Sequence, residues 1–339
     1  MNRKDISISI ASTVPQIVPS KETEEDKARF LRNVADTMAS ESLRAYNSRW
    51  AAFVSWADQA GRVSFPASPS TVAAYLEALE ADGKSAATIA QVIAAISKAH
   101  KVRGAASPCS SEEVKTARKA AARRLGTAPH QKAAATAEVI RALVASIDGT
   151  SLLDLRDRAL ILMGFAGAFR RSELAALRVS DLREEKSADG RPVIVVTVRK
   201  SKTDQEGAGM EKAIFAAPGK SKKFCPVAAV RAWIAAAGLE GNAALVPRIR
   251  KGGQIDAAPV PMGGDSVALI IKKRAAFAGV ELDLSGHSLR RGFVTSAVAS
   301  GASERAIMNQ TGHKSVVTVR RYIERHNVIT DNAAAAISL

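Results

Sequence analysis

The sequence predicts a mainly α protein of two domains with one small β-sheet, and three observations carry that prediction. Apolar residues recur at helical spacing over most of the chain. One stretch, Val193 to Val198, is apolar and largely β-branched without a helical period, and a polar loop and a second short run follow it. The texture then breaks at "GTAPHQKAAA" (126–135), a Gly- and Pro-containing segment with no apolar period that reads as a linker. At 339 residues the chain can form two cores of ordinary size, and 47% hydrophobic residues with 4% aromatics make those cores largely aliphatic.

Residues 1–22 are polar, aperiodic and expected to be disordered. The first domain, 23–125, reads as four or five helices. Ser40 can cap a segment in which Trp50, Phe53 and Trp56 recur at one-turn intervals, so they share one side of a helix and form a core stripe. "SPSTVAAYLEAL" offers Ser68 as N-cap with Pro69 at the first helical position. A third helix begins near Ser85 and stops at Gly104. "SSEEVKTARKAAARRLG" opens with Ser110 and Glu113 at capping-box spacing and closes at Gly126.

The second domain, 136–325, predicts helices over 136–147 and 151–166 and a short one over Ser172 to Leu177. "RPVIVVTVRKSKTDQEGAGMEKAIFAA" reads as strand, polar loop and strand, a β-hairpin. Helices resume at 225–237, 265–278 with Asp265 or Ser266 as cap, 287–300, 303–310 and 315–325. Residues 326–339 form a tail ending "DNAAAAISL". No internal repeat is visible.

Lys and Arg number 49 against 33 Asp and Glu, a formal charge of +16. Such a surplus repels itself in a compact fold and suggests a polyanionic partner, most simply nucleic acid. Cys109 and Cys225 are far apart with no Cys/His cluster, which argues against a disulfide scaffold and a structural zinc. The longest apolar run, Ala159 to Phe169, is too short to span a bilayer, and "MNRKDISISIASTVPQ" lacks the apolar core of a signal peptide. A reduced, cytoplasmic protein is expected, associated with the nucleoid when bound to DNA.

Five segments of the second domain carry groups suited to an anionic substrate. "GAFRRSELAAL" offers Arg170, "RKSKTDQ" Lys202, "SGHSLRRG" His287 and Arg290, "TGHKS" His313, and "RRYIE" Tyr322. Taken singly, each reads as ordinary structure: an arginine on a solvated helix face, a solubilising loop lysine, a half-buried tyrosine. His287 and Arg290 say more, because i and i+3 share one helix face. In order and spacing, R-x-x-E-L, then K-T, H-x-x-R, H and Y resembles the tyrosine recombinase (phage integrase) superfamily. The match spans most of the second domain, and the overall length resembles that of its simple two-domain members.

The resemblance implies an N-terminal helical core-binding domain, a C-terminal mixed α/β catalytic domain, and site-specific cleavage and rejoining of DNA through a 3′-phosphotyrosine without metal, ATP or other cofactor. Carried over, Arg170 and Arg290 grip the scissile phosphate, Lys202 is the general acid, His287 and His313 assist, Tyr322 is the nucleophile and Glu173 supports the site. Lys200 stands two residues before Lys202, and the K-T match selects Lys202. It further implies that the helix at 265–278, with Lys272, Lys273 and Arg274, meets DNA. Arg44 and Ser48 on one helix face, and Lys101 and Arg103 at the end of another, are the first domain's candidates. The implied partners are double-stranded DNA with an inverted-repeat site and three further copies of the chain, two protomers per site, with the tail reaching a neighbour. Two other classes compete: a type IB topoisomerase with a similar residue set, and a sequence-specific DNA-binding protein with a silent site.

Overall fold

The structure, a computed structural model, describes residue 29 and residues 40–128, 132–201, 204, 208–219, 222–255 and 260–330, with residues 40 and 325–330 by backbone alone. The chain divides into two compact units, Met1–Pro129 and His130–Leu339. Residues 1–22, expected to be disordered, Lys202, and residues 331–339 of the tail (326–339) expected to reach a neighbour lie outside the described residues. No helix among the described residues is long and apolar enough to cross a membrane.

The first unit holds α1 (Ser40–Gln59), α2 (Pro69–Ala81), α3 (Ala86–Val102) and α4 (Glu112–Leu125), with a 3-10 turn at Pro108–Ser110. Its core gathers Phe53, Val72, Leu76, Ile89 and Ile96, with Trp50 and Trp56 packed at the edge. The aromatic stripe is therefore internal: Phe53 is fully buried, and Trp56 lies 4.9 Å from the ring of Tyr75. Ser68 and Ser85 cap α2 and α3 by accepting from the backbone N–H of Thr71 and Thr88. The cap of α4 is Ser111 rather than Ser110, because Ser110 is spent in the 3-10 turn that precedes the helix.

The second unit runs α5 (Ala137–Ala145), α6 (Leu152–Ala166), α7 (Arg171–Ala176), a three-stranded sheet, then α8 (Pro226–Ala237), α9 (Gly264–Phe277), α10 (Ser288–Ala299), α11 (Glu304–Thr311) and α12 (Val316–Thr330). The sheet is antiparallel in the order β1 (Leu182–Lys186), β2 (Pro192–Val198), β3 (Met210–Phe215), with Val195 opposite both Arg183 and Ala213. The hairpin expected from sequence is β2–β3. The extra strand β1, "LREEK", is a charged and largely exposed edge, so it lacks the apolar alternation that marks a strand. α9 begins at Gly263 with no side-chain cap, and Asp265 instead pairs with Arg171. α12 continues to Thr330, beyond the expected boundary at 325.

The core of this unit sits between α6, α8 and the inner face of the sheet, built on Leu160, Ile161, Phe169, Val196, Ile214 and Trp233. Trp233 is buried yet satisfied, its Nε1 donating to the carbonyl of Leu245 at 2.8 Å. Each such side chain contributes roughly 1.5–3 kcal/mol by leaving water, which fixes the frame on which the polar residues below are mounted.

Candidate active site

Three short elements bring the polar residues together. The first is the turn from α6 into α7. Ala168 there adopts φ 46°, a left-handed backbone that costs an alanine about 1 kcal/mol and that aims its carbonyl inward. Arg170 follows as the N-cap residue of α7. Glu173, three residues on, accepts from its backbone N–H at 3.0 Å and from its Nη1. Glu173 is 3% exposed, so its charge is affordable only because Arg170 and a lysine described below neutralise it.

The second element is α10. It packs so closely on the segment entering α5 that a Cβ on Gly292 would lie 1.7 Å from the carbonyl of Ala135. The backbone N–H of Ala135 donates to Ser288 across the same contact. Only glycine permits that approach, and it fixes where Arg290 stands. Arg290 is 2% exposed; its Nη1 donates to Ala168 O at 2.9 Å, while its buried Nη2 has no hydrogen-bond partner among the described residues. Burial, reinforced by the positive charge of Arg170, pushes Arg290 down to about 10, against the opposing pull of Glu173 and Tyr322. His287 stands exposed at the head of the same helix.

The third element is α11 with the start of α12. Gly312 closes α11 in a left-handed conformation at φ 68° and turns the chain into His313. The hydroxyl of Thr311 donates its one proton to Ile307 O at 2.6 Å, so at 2.8 Å from His313 Nδ1 it must accept, which places that ring's proton on Nδ1. Burial, Arg290 and Arg170 push His313 down to about 4. The ring is therefore neutral at physiological pH, with Nε2 bare. Tyr322 is half-buried on α12 against Val294, Ile307 and Val319, and close enough to Arg290 to act on its charge.

The structure thus gathers Arg170, Glu173, His287, Arg290, His313 and Tyr322 into one cluster. It also brings in a residue that sequence reasoning passed over. Lys212 on β3 has a fully buried side chain and lies among Gly167, Ala168 and Glu173. The available signal was the alternation of "MEKAIF", which puts Lys212 on the same inward face as Ile214. Gln310 was missed as well; its Nε2 donates to Ala166 O and Ala213 O and so ties α11 to α6 and β3.

The residues expected to touch DNA are more scattered. Arg44 and Ser48 are exposed one turn apart on α1, and Lys272 and Lys273 are exposed on α9. Arg103 is held over the rings of Trp50 (4.9 Å) and Phe65 (5.4 Å) just past α3, beside exposed Lys101. Arg274 departs from expectation. It turns inward to Asp157 (2.7 Å) and Asp154 (2.8 Å), its side chain 12% exposed, because α9 must be pinned to α6 and a charge at that depth needs paired carboxylates.

Such a set, two inward guanidiniums beside a phenol and two imidazoles, suits attack on a phosphodiester, and comparison with known proteins agrees with that class. The phage integrase family model matches residues 134–327, and the model of its N-terminal SAM-like domain matches residues 28–103. The chain belongs to the phage integrase family of tyrosine recombinases. It is 36% identical over 306 residues to an integrase/recombinase xerD homolog of Selenomonas ruminantium, covering 89% of this chain and 86% of that protein. It is 27% identical over 293 residues to the recombinase cre of Escherichia phage P1, covering 81% and 80%. Among solved structures, lambda integrase in a tetramer bound to a Holliday junction shares the fold at a TM-score of 0.56 and 17% identity, over 87% of this chain and 75% of that one.

Proposed function

We propose that this chain cuts and rejoins DNA at a specific site by transferring one strand to Tyr322. The phenolic oxygen attacks phosphorus, the bond from phosphorus to the 5′-oxygen breaks, and a 3′-phosphotyrosine and a free 5′-hydroxyl result. Lys202 donates the proton that the departing oxygen needs, and His287 and His313 are the two imidazoles available to take the phenol proton. Arg170 and Arg290 hold the non-bridging oxygens, a task that two planar donors perform bidentately. The covalent bond conserves the energy of the phosphodiester, so a second 5′-hydroxyl reverses the step without ATP.

One observation carries this reading: a buried guanidinium whose Nη2 has no hydrogen-bond partner among the described residues, beside a second guanidinium of like charge. Buried donors are almost always satisfied. An arrangement in which two cations repel and one donor is idle is stabilised when an anion with several acceptor oxygens enters, and a phosphodiester is such an anion. The +16 charge of the chain supplies the long-range attraction toward it.

The same reading takes the protein to work as a homotetramer on two inverted-repeat duplexes, two protomers per site, in the cytoplasmic nucleoid. The lambda integrase tetramer bound to a Holliday junction is the likeness that supports it. The test begins with a duplex selected from random sequence, placed twice on a supercoiled plasmid. Recombinant products with a covalent adduct on denaturing gels are expected. Relaxation without exchange indicates a topoisomerase, and binding without adduct a silent site.

A further inference from the structure

Lys212 is a lysine without solvent. Its side chain has no exposed surface, so the usual reading of a strand lysine as a solubilising group does not apply. Its Nζ donates to Gly167 O at 2.9 Å and to Ala168 O at 3.2 Å, lies 3.6 Å from Glu173 Oε2, and sits 4.6 Å above the ring of Phe169. Two of these neighbours are the supports of the two phosphate-gripping arginines. Ala168 O also accepts from Arg290, and Glu173 also accepts from the backbone and side chain of Arg170.

A single ammonium group therefore touches both supports at once. The strained turn at Ala168 is where the contact matters most, because a left-handed alanine persists only where its surroundings hold it. Burying an ammonium is costly, and burial does push Lys212 down to about 7 despite Glu173. An apolar side chain on the inward face of β3 would avoid that cost, since its neighbour on that face, Ile214, is apolar.

We propose that Lys212 is a positioning residue: by bridging the 167–168 carbonyls and Glu173 it sets the relative placement of Arg170 and Arg290 on one phosphate. This rests on the reading of those arginines as the phosphate grip. Lys212 does not itself meet the DNA, because it has no surface to offer; the general acid is a different lysine. Its effect is on the geometry of the transition state rather than on affinity, as misplacing a preorganised group by about 1 Å typically costs about a hundredfold in rate.

The test is K212M, measured with Y322F, K202A and R290K on the selected duplex. K212M is expected to form the covalent adduct about a hundredfold more slowly while binding the duplex within about threefold of the wild type. A substrate with sulfur in place of the bridging 5′-oxygen has a leaving group that needs no proton. It should restore K202A and leave K212M slow. In the R290K background K212M should cost little more, because the two act through one carbonyl.

Adduct formation by K212M within about threefold of wild type overturns the proposal, as does rescue by the sulfur substrate or a fully additive loss with R290K. If K212M fails to bind DNA, K212Q takes its place under the same criteria, with its amide N–H able to reach one of the two carbonyls. Y322F keeps the two readings apart: an active Y322F removes the reading of the site, whereas an inactive Y322F with a fully active K212M removes only the role of Lys212.

Discussion

Replacing Arg290 with methionine should slow cleavage about a hundred- to a thousandfold and yet leave the protein as stable as before, or more so. Arg290 is 2% exposed, its Nη2 has no hydrogen-bond partner among the described residues, and burial with the charge of Arg170 pushes it well below the ordinary guanidinium range, to about 10. A fall of that size means that the folded protein disfavours the charged guanidinium by about 3 kcal/mol relative to water. Methionine removes that penalty, forfeits one hydrogen bond to Ala168 O worth about 1 kcal/mol, and still fills the volume. The net expectation is a change between zero and about 2 kcal/mol of added stability. Catalysis moves the other way: losing one preorganised phosphate contact costs roughly 3–4 kcal/mol, a hundred- to a thousandfold in rate. Urea unfolding gives the first number and single-turnover adduct formation on the selected duplex gives the second. An Arg290→Met protein destabilised by more than about 3 kcal/mol would place the residue among structural ion pairs and refute the reasoning.

Gly292→Ala should destabilise the second unit by about 3 kcal/mol or more, since the new Cβ meets backbone rather than a yielding side chain; thermal melting checks it. Arg274→Met should cost about 2 kcal/mol, the charge-assisted bonds to Asp157 and Asp154 being lost while Asp157 keeps Arg156 and Asp154 keeps Ser151, and the salt dependence of DNA binding should stay unchanged. Lys212 also gives stability a pH dependence. Its folded pKa, about 7, lies below the ordinary 10.5, so the burial penalty is complete below pH 7 and is relieved as pH rises toward 10.5. Wild type should therefore gain stability relative to K212M between pH 7 and 10 in urea titrations, and a flat difference would contradict the burial of a charged amine. Thr311→Val removes the acceptor for His313 Nδ1–H; nitrogen NMR should show His313 leaving the Nδ1-protonated tautomer.

Much of this architecture was legible because local chemistry and tertiary packing agree. Ser68 and Ser85 cap helices where their spacing says they do, and Phe53 is core because its helical period says so. The catalytic-type residues were legible from order and spacing along the chain, which is a resemblance rather than a geometry. What escaped did so for physical reasons. Strand β1 is a charged edge, so nothing in "LREEK" distinguishes it from a loop. Arg274 looks like its neighbours Lys272 and Lys273 until packing turns it onto two aspartates 117 and 120 positions away. Lys212 reads as an ordinary solvated lysine because its partners, two backbone carbonyls and Glu173, come from a turn some forty residues upstream. Residues whose role depends on long-range partners carry little of it in their local sequence.

The most direct test concerns which atom of the protein becomes joined to DNA. Wild-type protein is trapped on the selected duplex carrying a nick just 3′ of the scissile phosphate, so that the short fragment with the freed 5′-hydroxyl diffuses away; the complex is digested and its nucleotide-bearing peptide sequenced by mass spectrometry. The expected adduct is a 3′-phosphate ester on Tyr322, absent from Tyr322→Phe, which should bind the duplex normally. An adduct on any other residue, or persistence of the adduct in that variant, would contradict the assignment.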